Sequence, residues 1–239
     1  NPQTIVIGGI SGGIGSALAA QLSQQGHRVI GFARNPATLE ALRATQPELE
    51  THCCDASDPA ALEACFTQIS ADNTQIHAYV HAIGSIFLKP AHLTSDQDWA
   101  DTLLTNLSSA FFALRAATKR MSKYNCGSCL FFSTAAAQVG IANHEAIAAA
   151  KGGIEAMVRS AAATYAARGL RINAIAPSLT DTPLARPMTS HPQALEISKK
   201  MHPLGDIARP QDVASLAAWL LSEQARFVTG QTLTIDGGL

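Results

Sequence analysis

The strongest chemical signal in the chain is the run Gly8-Gly9-Ile10-Ser11-Gly12-Gly13-Ile14-Gly15. Glycine amides with no Cβ beside them can approach a pyrophosphate closely, and a helix that starts there offers its positive end to the same anion. The spacing is Gly9-x3-Gly13-x-Gly15 rather than GxGxxG. Gly9-Ile10-Ser11-Gly12-Gly13 also satisfies GxSxG, the nucleophile elbow of serine hydrolases. That reading fails on context, because the run follows the first strand and no earlier strand can build an oxyanion loop. The five cysteines suggest metal or redox chemistry, since Cys53-Cys54 are adjacent and Cys126-Gly-Ser-Cys129 is a CxxC. An odd cysteine count favours reduced thiols and no metal site.

The elements around these residues alternate. Strands are expected at Thr4–Gly8, Arg28–Phe32, Leu49–Cys54, Ala78–His81, Ser128–Ser133, Arg171–Ala176 and Thr232–Ile235. Helical patterns lie between them, over Ile14–Gln25, Pro36–Thr45, Asp58–Ser70, Asp96–Lys123, Glu145–Arg168 and Pro210–Ser222. Asp58 is placed as an N-cap, and Gly169 ends the fifth helix. Buried strands alternating with helices imply parallel βαβ units. The fold expected is a Rossmann-type doubly wound parallel α/β sheet of about seven strands, helices on both faces, in one domain over 1–239. In that topology Cys54 follows its strand and Cys126 precedes its own, so the two cannot share a metal.

Composition narrows the class. Of 239 residues, 47% are hydrophobic, enough for one core, and the net charge is −1 from 17 Lys+Arg and 18 Asp+Glu. That balance speaks against a nucleic-acid partner and against a charged disordered tail. The longest uncharged stretch, from Tyr124 to about Asn143, is broken by Asn125, Gly127 and Gly140 and reads as strand plus loop rather than a membrane span. The amino-terminal residues lack a basic region followed by a long apolar run. A cytoplasmic protein is expected.

Several motifs, in order, resemble the short-chain dehydrogenase/reductase family over nearly the whole chain. Gly8 stands where the family has Thr before Gly-x3-Gly-x-Gly. Asp55 matches the acid that accepts from the adenine amino group. Val80-His81-Ala82-Ile83-Gly84 replaces Asn-Asn-Ala-Gly, Asn106 matches the helix Asn of the catalytic set, and Lys151 matches the family lysine. Asn173-Ala-Ile-Ala-Pro177-Ser178 matches Asn-x-x-x-Pro-Gly with Ser for Gly, and Thr182 follows as in the family. Arg209-Pro210-Gln211-Asp212 and Asp236-Gly237-Gly238 match the carboxy-terminal signatures. The resemblance implies a nicotinamide cofactor held by Gly9, Ser11, Gly13, Ile14, Gly15, Asp55, Ala82, Gly84, Lys151, Pro177 and Thr182. A free ribose diol needs an acceptor and a 2′-phosphate needs a cation. No acid ends the second strand, and Arg34 follows it, so NADP(H) is preferred and NAD(H) remains open.

The catalytic set implied by the resemblance is broken. The family carries a proton-transferring Tyr four residues before the Lys, but position 147 is Ile. The only tyrosines are Tyr79, Tyr124 and Tyr165. Thr134 takes the place of the carbonyl-polarising Ser, with Ser133 the near alternative. A replacement proton donor is sought at His144 or Glu145, against the reading of Asn143-His144-Glu145 as a capped helix start; His81 is a further candidate.

Three functions stay open. The chain is an NAD(P)(H)-dependent oxidoreductase acting on a carbonyl or alcohol with a non-standard proton donor. Alternatively, it is a nucleotide-binding sensor or structural protein, or an isomerase or ene-reductase using the same pocket. Residues 180–202, with Leu184, Met188 and Leu195 among Arg186, Lys199 and Lys200, match the family's substrate lid. A homodimer or homotetramer is implied, with Ala116, Ala117, Ala161, Ala162 and Ala163 packing long helices across a two-fold axis.

Overall fold

A computed structural model describes residues 2–239. Seven strands form one parallel sheet in the order β3-β2-β1-β4-β5-β6-β7. They are β1 Thr4–Gly8, β2 Arg28–Ala33, β3 Glu50–Cys53, β4 Ala78–His81, β5 Gly127–Phe132, β6 Leu170–Pro177 and β7 Thr232–Ile235. The helices are α1 Gly13–Gln24, α2 Pro36–Thr45, α3 Pro59–Ile69, α4 Asp96–Leu103, α5 Ser109–Met121, α6 Glu145–Tyr165, α7 Arg186–Thr189, α8 Pro192–Met201 and α9 Pro210–Leu221. The strands are apolar along most of their length because both faces are covered. One core packs α1, α2 and α9 on one face through residues such as Leu18, Leu39 and Val213. The other packs α3, α5 and α6 through Phe66, Ala113 and Val158.

Local chemistry sets the element boundaries. Asp58 accepts from the amides of Ala60 and Ala61 at 2.8 and 3.2 Å and starts α3. Asn35 does the same for α2 through Ala37. Ser95 and Asp98 form a reciprocal capping box on α4. Gly169, at φ +67°, turns the chain from the last helical turn into β6.

The order of the sheet reverses beside β1. Gly8 pairs with Phe32 of β2 on one side and with His81 of β4 on the other. Crossovers leave β1 in opposite directions there, and a crevice opens at the carboxyl ends of the strands. Gly9, at φ +81°, turns out of β1 over that crevice; a Cβ on it would lie 2.6 Å from the Ala82 carbonyl oxygen.

Three expectations need correction. The helix read over 96–123 is interrupted by a π-helical turn at Leu104–Ser108. The start of α6 has His144, not Asn143, at the N-cap, and no side chain caps it; Asn143 sits in the left-handed region at φ +64°. The alanines assigned to a subunit contact lie mostly on sheet-facing stripes: Ala116, Ala117, Ala161 and Ala162 are buried in the chain's own core, and only Ala163 is exposed. No helix among the described residues is long and apolar enough to cross a membrane.

The position expected to hold Thr is filled from elsewhere. A Cβ on Gly8 would meet the Phe32 ring at 2.7 Å and the Tyr79 hydroxyl at 2.9 Å. Gly8→Thr is therefore expected to overpack this core and cost about 1–3 kcal/mol in urea unfolding. A wild-type midpoint with an unchanged slope would contradict the packing described.

Candidate functional site

Three adjoining cavities run along the carboxyl edge of the sheet. The first, of about 350 Å³, lies over the switch between β1 and β4. Gly9, Ser11, Gly13, Ile14, Arg34, Asp55, Ala82, Gly84 and Thr182 all line it. The N-cap of α1 is Gly12, with no side chain capping the helix, so the first amides of α1 remain donors facing this crevice. Gly13 lies against Thr182, since a Cβ there would meet the Thr182 methyl at 2.7 Å. A diphosphate fits such a cradle on charge and on space. Three residues named from the sequence for the cofactor stand outside it, and one of them, Lys151, lines the second cavity. Gly15 packs behind the turn against the Gly9 carbonyl. Pro177 ends β6 beside Ile235.

At one end of the crevice, Asp55 accepts from the Ser57 amide at 2.9 Å and hydroxyl at 2.7 Å. The Ser57 hydroxyl and amide hold its carboxyl below the usual carboxylate range, helped by the Arg34 charge. Arg34 is exposed at the end of β2 and enters no ion pair among the described residues. Thr38, on the first turn of α2, donates to Ser11 at 3.1 Å or to the Asn35 carbonyl at 2.9 Å. Sequence reasoning missed Thr38; its one signal was a hydroxyl three residues after a helix cap.

The second cavity, of about 180 Å³, contains the lysine. Lys151 is 8% exposed and its Nζ donates to the Phe132 carbonyl at 2.9 Å. Burial without a counter-ion lowers its pKa to about 8. A side chain at Gly84 would meet Asn106 Oδ1 at 3.0 Å and Lys151 Nζ at 3.3 Å, so both polar groups flank one point of the wall. Asn106, in the π-helical turn, is fully buried. Its Oδ1 accepts from the Ser85 amide at 3.0 Å, and its Nδ2 donates to Ser85 Oγ and the Thr102 carbonyl. It fixes the loop after β4.

Ile147 lies four residues before Lys151 and lines both this cavity and the third. Thr134 does the same, and its Oγ1 accepts from the Ala136 amide at 3.3 Å, leaving the hydroxyl proton available. Ser133 is not equivalent: its hydroxyl donates to Glu155 Oε1 at 2.8 Å, tying β5 to α6. No tyrosine lines any of the three cavities.

The third cavity, of about 290 Å³, lies between α6 and residues 178–202. His144 lines it, and Glu145 does not. The Ala142 carbonyl, an acceptor only, lies 2.8 Å from His144 Nδ1, so that nitrogen carries the proton and Nε2 is the acceptor of the neutral ring. Positions 144, 147 and 151 share one face of α6. Of residues 180–202, Leu184 and Met188 line this cavity, whereas Leu195 does not.

His81 belongs to the core. Ser109 Oγ donates to the Thr105 carbonyl at 2.6 Å, so it accepts from His81 Nε2–H at 3.1 Å. His81 Nδ1 then accepts from the Tyr79 hydroxyl at 2.7 Å. Both ring nitrogens are satisfied, the residue is 2% exposed, and it is no proton donor to a ligand.

Comparisons with known proteins agree with this geometry. Residues 9–239 match the family model described as Enoyl-(Acyl carrier protein) reductase. The chain is 32% identical over 240 residues to D-threitol dehydrogenase of Mycolicibacterium smegmatis, covering 99% of this chain and 92% of that one. It is 30% identical over 238 residues to the 3-oxoacyl-(acyl-carrier-protein) reductase FabG of Salmonella typhimurium, covering 98% and 96%. An oxidoreductase of the short-chain dehydrogenase/reductase family from Burkholderia thailandensis superposes with a TM-score of 0.92 at 30% identity, covering 100% of this chain and 93% of that one. The fold and crevice define a Rossmann-type enzyme. The chain belongs to the short-chain dehydrogenase/reductase family of oxidoreductases.

Burial, and then the Lys151 charge, lower the His81 pKa to about 3. The unfolded ring titrates at its ordinary 6.5, so the unfolded state binds more protons between those values. Stability attributable to this ring is full above about pH 6.5 and falls toward pH 3, by at most ~1.4 kcal/mol per pH unit. His81→Asn is expected to flatten the acid limb of the stability curve, measured by urea unfolding across pH. An identical acid limb would show that the ring titrates normally.

Proposed function

We propose that the chain is an NADP(H)-dependent oxidoreductase that interconverts a carbonyl and an alcohol on a small to medium substrate, with a proton donor other than tyrosine. The carrying observation is continuity. The nucleotide crevice and the lysine cavity share Ile14, Gly84 and Leu184, and the lysine cavity and the apolar cavity share Thr134 and Ile147. A nicotinamide cofactor fits the capless α1 terminus, the glycine cradle and Asp55. Bound there, NADPH supplies a hydride to the carbonyl carbon while a proton goes to its oxygen, giving the alcohol and NADP⁺.

The chain's own residues divide the work. Arg34, Ser11 and Thr38 bind the 2′-phosphate at the start of α2, where no carboxylate competes. Lys151 holds the nicotinamide ribose and keeps positive charge beside the reacting centre. Thr134 donates to the substrate oxygen. Ile147 occupies the slot of the family's proton donor and cannot transfer a proton; general acid–base help is worth roughly 10²–10⁴-fold in rate. His144 supplies it in this reading. It stands one turn from Ile147 on the same cavity wall, and an imidazole can carry a proton to a substrate oxygen. Residues 180–202 close the apolar cavity as a lid.

Ile147 is also the observation that favours a second reading, a nucleotide-binding protein without redox turnover. An isomerase or ene-reductase activity in the same pocket would bind the same cofactor but give a different product. Stoichiometric oxidation of NADPH with formation of an alcohol separates the first reading from both.

Calorimetry with NADPH and NADH tests the cofactor assignment. NADPH is expected to bind more tightly, and Arg34→Ala to weaken it roughly 10–100-fold, the loss of a charge-assisted contact, without changing NADH. Equal affinity for the two, unchanged by the substitution, would contradict the assignment. His144→Ala is expected to lower kcat at least about tenfold with NADPH affinity intact. Unchanged turnover would remove His144 from the mechanism.

A further inference from the structure

The third cavity has a composition that selects its occupant. Its wall is formed largely by Ile86, Leu88, Ile141, Leu184, Met188 and Met201, and no Asp, Glu, Lys or Arg lines it. The charges of the lid segment are directed elsewhere. Lys199 pairs with Asp206 at 3.1 Å, and Arg186 and Lys200 are exposed. Several of the apolar residues are themselves partly open: Ile86 and Leu88 are each 39% exposed and Leu184 50%. Covering them with an apolar ligand is favourable at roughly 25 cal/mol per Å².

The ionisable groups of the wall are two imidazoles. His202 is already satisfied: Nδ1–H donates to the Ser198 carbonyl at 2.6 Å, and Nε2 accepts from the Ser178 hydroxyl at 2.9 Å. Ser178 stands where the family carries Gly, so this bond closes off a polar position beside the pocket. His144 is committed at Nδ1 only. Thr180 and Thr182 donate to the Ser178 and Thr180 carbonyls. The groups left to meet a ligand are the Thr134 hydroxyl and His144 Nε2, which flank Ile147, and the Ser198 hydroxyl on α8. Free polar groups are thus few, and most of the wall is apolar.

A carboxylate or phosphate entering this wall would lose its hydration without gaining a lysine or arginine partner. A polyol would leave most of its hydroxyls without partners. A neutral hydrocarbon body loses nothing and gains burial. We propose, resting on the oxidoreductase reading above, that the substrate is a neutral, mainly apolar ketone or the corresponding secondary alcohol. Its reacting oxygen sits at Thr134 and its body between α6 and the lid. The volume of about 290 Å³ suits a monocyclic or bicyclic skeleton of roughly ten to fifteen non-hydrogen atoms.

The test compares matched ligands on the full chain, with and without NADPH. One series consists of alkyl-substituted cyclohexanones and a bicyclic ketone. The second consists of the same rings bearing a carboxylate, and the third is a tetritol. Binding is read by calorimetry and turnover by NADPH absorbance. The neutral ketones are expected to bind at least ~30-fold more tightly than their carboxylates, the cost of an unpaired buried charge. Met188→Lys, which puts a cation into the wall, is expected to cut that ratio at least ~tenfold. Carboxylates or the tetritol binding as well as the neutral ketones would overturn the proposal. So would failure of every neutral ketone to bind at millimolar concentration. NADPH binding, read in the same experiment, reports separately on the cofactor assignment. Ketone binding without NADPH binding would sustain the substrate class while removing the redox reading.

Discussion

Every group of the site depends on one topological constraint, the reversal of strand order between β1 and β4. A parallel sheet brings the carboxyl ends of its strands to a single edge, and the reversal parts the loops there. Gly9 can turn over the gap only because nothing projects from it toward the Ala82 carbonyl. The glycine turn, Arg34 after β2, Asp55 after β3, Gly84 after β4 and Thr134 after β5 then stand in a row along the edge. Helix α6 adds His144, Ile147 and Lys151 along one face. In the function proposed, position along that edge separates nucleotide recognition from substrate recognition, with Ile147 and Thr134 at the junction.

Electrostatics follow from burial rather than from paired charges. Lys151 is held by a carbonyl, not a carboxylate, so desolvation acts unopposed and its pKa falls to about 8. His81, one strand away, is kept neutral by the same desolvation and by that cation. The ordered chain from Tyr79 through His81 and Ser109 to the Thr105 carbonyl satisfies each buried polar atom. It also bears on the glycine at position 8, because the Tyr79 hydroxyl, with the Phe32 ring, takes the space a larger residue would need.

Much of this was legible in the sequence. β1, α2, β4 and β7 have the bounds their patterns suggest, since each is apolar or periodic. Most of the residues expected to hold the nucleotide line one crevice because each follows the carboxyl end of a strand, and parallel strands bring those ends to one edge. What stayed hidden was set by tertiary packing. The π-helical turn that carries Asn106 shifts the helix register without interrupting its apolar pattern. Ala-rich helices offer small residues on several faces, so the sequence did not distinguish core alanines from surface ones. Ser133 and Thr134 are adjacent hydroxyls that both line the lysine cavity, and only the position of Glu155 shows that Ser133 spends its proton elsewhere. Thr38 meets Ser11 only because α2 folds back toward the glycine turn.

The central claim is that residue 147 marks the position of proton transfer in an otherwise intact hydride-transfer site. Its most direct test is single-turnover oxidation of NADPH by the His144→Ala/Ile147→Tyr protein, compared with His144→Ala alone, using a neutral ketone in the same buffer. A phenol placed one turn from Lys151 is predicted to restore the rate of hydride transfer by roughly 10²–10⁴-fold, the worth of a positioned general acid. A folded, NADPH-binding double variant whose rate equals or falls below that of His144→Ala would contradict the account.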